Sequence, residues 1–187
     1  MTGISISVGE SRYAVGAQPV ADLSLPLDFH GPQPSHFGAP PAEARALEVG
    51  GFVGDTTAGG SCNCHLVTLV PHCNGTHTEC VGHVTADPVS VGSLARDALL
   101  PALVLSVPVY RPGECLETAE PSPMADDLLV CARALQEALG RCNGSPQPAV
   151  VIRTLPNDPH KRTRDYTRGG IPAYLSLDAV GLLVDWD

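Results

Sequence analysis

A mixed α/β fold is the class that this 187-residue sequence predicts. Apolar residues make up 43% of the chain and charged residues only 17%, so burial can offset the entropy lost on ordering, and disorder is disfavoured. Nineteen glycines and 18 prolines make the chain rich in turns, which disfavours a helical bundle. Short apolar runs occur beside segments whose apolar residues recur at helical spacing, so both strands and helices are expected. The length suits one domain, and we expect residues 1–187 to form it.

Four segments have the character of strands. Ala21–Leu27 alternates apolar and polar residues, which is typical of a strand with one buried face. His65–Pro71 is a β-branched and leucine-rich run that ends at a proline. Ala102–Val107 and Ala149–Arg153 are short apolar runs of the kind found in buried strands.

Two segments are predicted to be helical. In the first, apolar residues run from Leu128 to Leu139 at helical spacing, and in the second they run from Leu177 to Val184. The expected cap and stop residues are Asp126 or Asp127 and Gly140 or Gly144 for the first helix, and Ser176 for the second.

The charge and hydropathy of the chain argue against nucleic-acid and membrane partners. The chain has 11 lysines and arginines against 20 acidic residues, a net charge of −9 that would repel phosphate backbones, so no nucleic-acid partner is expected. No apolar run reaches the roughly 18 residues of a membrane span, so no membrane partner is expected. Met1–Tyr13 has no apolar core of a secretory signal, and the cysteine count of seven is odd. We therefore expect a cytoplasmic protein whose cysteines are reduced thiols.

Side chains that can bind metals are densest between Pro71 and His83. On extended chain His77 and Glu79 point to the same side, so both can reach one ion. Imidazole and carboxylate groups are the usual ligands of a divalent hydrolytic metal, which activates water at an open coordination position. The alternative is that these histidines are ordinary surface or hydrogen-bonded groups, since no C-x-x-C or H-E-x-x-H pattern fixes the ligand spacing.

The same run resembles the signature of the cyclase-like metal-dependent hydrolases, a family that includes bacterial kynurenine formamidase and isatin hydrolase. The family pattern is H-x-G-T-H-x-D-x-P-x-H, and the chain from Cys73 to His83 is C-N-G-T-H-T-E-C-V-G-H. Asp22–Leu27, Ile152–Thr154 and Tyr174–Ala179 resemble other family blocks. The resemblance implies the family fold, a mixed and partly barrel-like sheet with helices packed outside.

Residue by residue, the resemblance implies roles for the motif. His77 corresponds to a metal ligand, Glu79 replaces the family aspartate that contacts metal, and His83 corresponds to the proton donor and acceptor. The first histidine of the pattern falls on Cys73, while His72 stands one position earlier. Either can bind, because a thiolate is a good zinc ligand and a one-residue bulge would bring in His72.

The function implied is hydrolysis of an amide, N-formyl or cyclic amide bond in a small molecule, with zinc or manganese as the metal. Phe29 and Phe37 lie where relatives place aromatic residues that contact substrate, and relatives are commonly homo-oligomers. The family's downstream histidine and glutamate ligands would follow Asp187, so we expect either a fragment or a shortened protein. The alternative function is a non-catalytic binding or structural relative that keeps the motif.

Overall fold

The computed structural model describes residues 4–16, 21–95, 99–142, 147–168 and 170–186. In chain order the strands are β1 (Ile4–Val8), β2 (Ser11–Val15), β3 (Glu43–Ala46), β4 (Glu48–Val49), β5 (Phe52–Val53), β6 (His65–Thr68), β7 (Ala102–Pro108), β8 (Leu129–Val130), β9 (Ala149–Leu155) and β10 (Tyr174–Leu175). The α-helices are α1 (Pro71–Asn74), α2 (Val91–Leu94), α3 (Ala132–Gly140) and α4 (Leu177–Val184). These elements confirm the mixed α/β class.

The chain divides into two compact units. The first consists of Met1–Asp22, Glu79–Asp158 and Gly170–Asp187, and the second of Leu23–Thr78 and Pro159–Gly169. Within the described ranges the strands form five separate pairs and no closed barrel, so the barrel-like part of the expected fold is not observed.

The first unit contains the larger core. Strands β7 and β9 pair in parallel, in the register Ala102↔Ala149 to Pro108↔Leu155, and both confirm strands predicted from the sequence. Because side chains alternate along a strand, Leu105 and Val107 of β7 point to the same side and are buried. They pack with the apolar face of α3, where the buried residues include Leu135 and Ala138.

Helix α3 begins later than the sequence predicts. Neither Asp126 nor Asp127 caps it: the N-cap is Cys131, and β8 occupies Leu129–Val130. The carboxylate of Asp127 instead accepts hydrogen bonds from the Met124 backbone N–H (2.9 Å) and the Tyr174 hydroxyl (2.7 Å). Strand β8 pairs in parallel with β10. Leu129 and Val130, which the sequence predicts in the first helical turn, are therefore part of a strand. The helix ends at Gly140, and Gly144 lies outside the described residues.

Helix α4 confirms the prediction that Ser176 caps it. The fully buried Ser176 hydroxyl accepts a hydrogen bond from Ala179 N–H (3.0 Å) and donates one to Glu117 Oε2 (2.6 Å). That carboxylate also accepts from the first two N–H groups of α3, on Ala132 (2.7 Å) and Arg133 (3.2 Å). Partial burial works to raise the pKa of Glu117, but these hydrogen bonds outweigh it and hold the pKa below its ordinary value. One carboxylate therefore organises the beginnings of both helices.

The second unit has two antiparallel pairs, β3 with β6 and β4 with β5. Strand β6 confirms the first part of the strand predicted at His65–Pro71, which then turns into α1 at Pro71. The prediction of a strand at Ala21–Leu27 is wrong, because this segment pairs with no strand among the residues that the structure describes. Its backbone is held instead by a hydrogen bond from Leu25 N–H to Thr76 Oγ1 (2.9 Å).

The expectation that all seven cysteines are reduced is wrong for two of them. Cys115 and Cys131 form a disulfide across a separation of 16 residues, and both are buried beside Leu129 and Ala119. Burying two thiols next to each other allows the bond to form, whatever their distance in sequence. The other five cysteines, Cys62, Cys64, Cys73, Cys80 and Cys142, are not in disulfides.

Among the helices described here, none is both long enough and apolar enough to cross a bilayer.

Replacing Ser176 with alanine should destabilise the first unit, because it removes the α4 cap and one of the donors to Glu117. We expect the free energy of unfolding to fall by about 1–2 kcal/mol in chemical denaturation. Ser90→Ala is the matched control, since Ser90 is the N-cap of α2 but its side chain makes no capping hydrogen bond. Equal effects of the two substitutions would contradict this account of Ser176.

Candidate metal centre

The first part of the site is the helical turn α1. Proline at its first position is favourable there, because that N–H has no partner inside a helix. The Asn74 side chain is fully buried, and its Oδ1 accepts a hydrogen bond from Val70 N–H (2.7 Å) while its Nδ2 donates one to the Pro40 carbonyl (3.1 Å). These two bonds fix the turn from inside, so the direction of each side chain on it is also fixed.

The turn separates His72 from Cys73. Each residue on a helical turn is rotated about 100° from the one before it, so a buried residue can follow directly after an exposed one. Cys73 is only 8% exposed and lies on the inner side with Asn74, whereas His72 is exposed. The His72 ring lies edge-on to the His77 ring, with 4.7 Å between their centroids.

The next segment carries His77 on extended chain. Its position is anchored by Thr76, whose Oγ1 accepts the hydrogen bond from Leu25 N–H (2.9 Å). At Gly75 an added Cβ would lie 3.3 Å from a methyl carbon of Leu27, so the chain passes close to that side chain. His77 Nδ1 lies 2.9 Å from the Gly75 carbonyl oxygen, which can only accept. Nδ1 therefore carries the hydrogen, and Nε2 is the nitrogen with the lone pair that a metal requires.

His72, His77 and Glu79 form a group with the chemistry of a metal centre. Each offers one ligand atom, these atoms all lie within 4.8 Å of one another, and all three residues are exposed. Ligand atoms around one tetrahedral zinc ion lie roughly 3.4 Å apart, so the three groups fit after small rotations of their side chains. Two imidazoles and a carboxylate suit zinc or manganese and leave coordination positions open.

His83 lies beside this group through Glu79. Its Nε2 is 3.8 Å from Glu79 Oε2, and the two side chains are 48% and 53% exposed. His83 ends a 3₁₀ turn, Val81–His83, in which its N–H donates to the Cys80 carbonyl (2.9 Å). A Cβ at Gly82 would overlap the Val89 carbonyl oxygen, so only glycine allows this close approach of the backbone.

The structure thus brings together four of the predicted site residues and places three elsewhere. Cys73 is buried outside the His72–His77–Glu79 group. Phe29 is half-buried, and Phe37 is 86% exposed with a positive φ of 55°, an unusual backbone conformation for a large side chain. Binding of substrate by Phe29 and Phe37 stays a prediction, as do the individual ligand and proton-transfer roles.

A second group of metal-capable side chains, not predicted from the sequence, consists of Cys115, Glu117 and Cys131, whose candidate ligand atoms also lie within 4.8 Å of one another. Two signals are present in the sequence: Cys115 and Glu117 are two residues apart, and Cys131 lies within the apolar run predicted to be helical. Nothing local in the sequence, however, brings Cys131 next to the other two.

Comparison with known protein families agrees with the geometry. The Cyclase family model, with the description "Putative cyclase", matches residues 21–186. The chain belongs to the Cyclase family. That family includes kynurenine formamidase-like proteins, and membership supports a metal-dependent, hydrolase-like enzyme. No curated relative and no solved structure matches the chain.

His77→Ala should remove most of the divalent metal that the protein binds, because it deletes one of three candidate ligands. Metal content after loading with Zn²⁺ or Mn²⁺ without reductant, so that the Cys115–Cys131 disulfide stays intact, and after gel filtration measures this directly. His160→Ala is the control, since His160 lies outside the candidate groups among the described residues. Equal metal content in the wild type and His77→Ala would refute the assignment.

Gly82→Ala should destabilise the protein by about 1–3 kcal/mol, because the added methyl group meets the Val89 carbonyl oxygen. In Gly92→Ala the new Cβ would meet only the Ser90 hydroxyl at 3.7 Å, an ordinary contact, so its stability should change by about 0.5 kcal/mol or less. Thermal or chemical denaturation of both variants provides the comparison. A Gly82→Ala protein as stable as Gly92→Ala would mean that the backbone approach before His83 is not a constraint.

Proposed function

We propose that this protein is a metal-dependent hydrolase that cleaves an amide, N-formyl or cyclic amide C–N bond in a small molecule. The observation that carries the proposal is the grouping of His72, His77 and Glu79 within 4.8 Å, in a chain that belongs to the Cyclase family. The kynurenine formamidase-like members of that family support this substrate class.

His72, His77 and Glu79 would hold a zinc or manganese ion through two imidazole nitrogens and one carboxylate oxygen. Such an ion, when bound, supplies a water molecule of lowered pKa and an electrophile that polarises the substrate carbonyl. The hydrogen bond from His77 Nδ1 to the Gly75 carbonyl keeps the imidazole in the tautomer and orientation that binding requires. The exposure of all three side chains leaves room for a substrate to approach.

His83 would move the proton. Hydrolysis of an amide requires a proton to reach the leaving nitrogen, and imidazole is the side chain best suited to that transfer near neutral pH. Once protonated, His83 would pair with the Glu79 carboxylate 3.8 Å away, which keeps it at the edge of the metal group. Glu79 has two oxygens, so one can face the ion while the other faces His83.

The finer features of the proposal come from the family resemblance. Phe29 and Phe37 would contact an aromatic part of the substrate. We also propose a homo-oligomer located in the cytoplasm.

Two substitutions separate metal binding from proton transfer. His83→Ala should keep most of the metal affinity while turnover falls about 10²–10⁴-fold, the usual effect of losing a general acid–base group. Glu79→Ala should lose metal and turnover together, because a negatively charged ligand is removed from the cation. The assay uses metal-loaded protein with an N-formyl arylamine and a cyclic aryl amide as substrates, and metal content is measured on the same samples.

Three outcomes would argue against the proposed roles or against the proposed enzyme. Equal loss of metal in both variants would make His83 a ligand and leave the proton transfer to another group. Metal binding by the wild type without turnover of either amide would favour the non-catalytic alternative. Turnover that is unchanged after removal of all metal would overturn the proposal.

A further inference from the structure

The first unit holds the second group of metal-capable side chains, Cys115, Glu117 and Cys131, here named the Cys–Glu cluster. Its candidate ligand atoms lie within 4.8 Å of one another, and the two cysteines are 4% and 1% exposed. In this structure the two sulfur atoms are joined as a disulfide. The cluster shares no residue with the group His72, His77 and Glu79, and the proposed hydrolysis makes no use of it.

The carboxylate of Glu117 is already oriented. Oε2 accepts hydrogen bonds from Ala132 N–H (2.7 Å) and Ser176 Oγ–H (2.6 Å), and Oε1 accepts one from Arg133 N–H (3.2 Å). A carboxylate has about four acceptor positions, so these bonds use three and leave one on Oε1. Hydrogen bonds of this kind fix the orientation of a carboxylate ligand before a metal arrives.

The two chain segments that carry Cys115 and Cys131 are also held in place by hydrogen bonds. On the Cys115 side, the Thr118 carbonyl accepts from Leu177 N–H (2.8 Å), and Thr118 N–H donates to Asp178 Oδ2 (3.3 Å). On the Cys131 side, Leu129 and Tyr110 exchange two backbone hydrogen bonds of 2.8 and 2.9 Å. The bonds from Ala132 and Arg133 N–H to the Glu117 carboxylate join these two segments directly, so the two thiols stay close together when the disulfide is broken.

We propose that the Cys–Glu cluster binds one Zn²⁺ ion when its disulfide is reduced. A dithiol reductant would supply two electrons and two protons, becoming a disulfide itself, and would leave Cys115 and Cys131 as thiols. On binding, the two thiols release two protons to solvent, and the thiolates and Glu117 provide three ligands. Two thiolates favour a borderline-soft ion such as Zn²⁺ over Mg²⁺, Ca²⁺ or Mn²⁺. The disulfide and the metal site are thus alternative states of the same side chains, chosen by the redox conditions.

Cobalt(II) is the probe for the test, because thiolate bound to Co²⁺ gives a near-ultraviolet charge-transfer absorption that imidazole and carboxylate do not give. The full-length protein is reduced with a phosphine, which does not compete as a thiol ligand, and is titrated with Co²⁺ and then with Zn²⁺. We expect the band to appear in the reduced wild type, to be absent from the oxidised protein, and to disappear when Zn²⁺ is added.

Variants assign the band to this cluster. Cys115→Ser and Cys131→Ser should lose it, Glu117→Gln should weaken binding by about 10–100-fold, and His77→Ala should keep it. Cys64→Ser is the matched control, because Cys64 is a cysteine outside the candidate groups and should not affect the band. No band in the reduced wild type would overturn the proposal, as would a band that survives in both Cys115→Ser and Cys131→Ser, or one that is lost in Cys64→Ser.

A second measurement uses only the wild-type protein, so it decides the question where a cysteine variant fails to fold. Maleimide labelling of the reduced protein, followed by peptide mass mapping, should show that Zn²⁺ slows modification of Cys115 and Cys131 and leaves Cys62 and Cys64 unchanged. Equal labelling of Cys115 and Cys131 with and without Zn²⁺ would overturn the proposal. Neither readout depends on amide hydrolysis, so failure of this site and failure of the proposed enzyme are distinguishable.

Discussion

The buried amide of Asn74 is the constraint on which the candidate metal centre depends. Its two hydrogen bonds, to Val70 N–H and to the Pro40 carbonyl, satisfy a polar side chain that would otherwise be costly to bury. They also fix a single helical turn that is too short to be stable by itself. Because the turn is fixed, His72 is exposed near His77 while Cys73 lies inside. The Asn74 amide thus belongs to a turn that presents the His72 imidazole, and not the Cys73 thiol, beside His77.

In the first unit, the Glu117 carboxylate holds neighbouring segments in place by hydrogen bonds, as the Asn74 amide does for the turn at His72. One carboxylate accepts hydrogen bonds from the beginnings of α3 and α4, so the loop that carries it, the two helices and the Cys115–Cys131 pair form a connected structure. Hydrogen bonds to a charged group are stronger than those between neutral groups, typically about 1.5–3 kcal/mol each. At both places, then, a side chain with several hydrogen bonds holds backbone that carries metal-capable residues. The two places differ in donor type: imidazole and carboxylate in the Cyclase-family motif, thiol and carboxylate in the Cys–Glu cluster.

Local patterns predicted the parts of the structure that local interactions determine. β6, β7, β9 and α4 follow from apolar runs and from a serine cap, and the cluster of His77, Glu79 and His83 follows from spacing along one short segment. The sequence could not show contacts between distant residues. The predicted start of α3 was wrong because Leu129–Val130 pairs with Tyr174–Leu175, and the strand at Ala21–Leu27 was wrong because its backbone bonds to a side chain 51 residues away. The disulfide likewise joins residues that no periodicity relates.

The central claim is that His72, His77 and Glu79 bind a catalytic divalent ion together. Anomalous X-ray diffraction from crystals soaked with Mn²⁺, recorded where the manganese signal is strong, tests it most directly. Manganese is chosen because it prefers oxygen and imidazole ligands to the thiolates of the Cys–Glu cluster. The account predicts an anomalous peak within bonding distance of a nitrogen of His72, Nε2 of His77 and a carboxylate oxygen of Glu79. A peak elsewhere in the chain, with none among these three side chains, would contradict it.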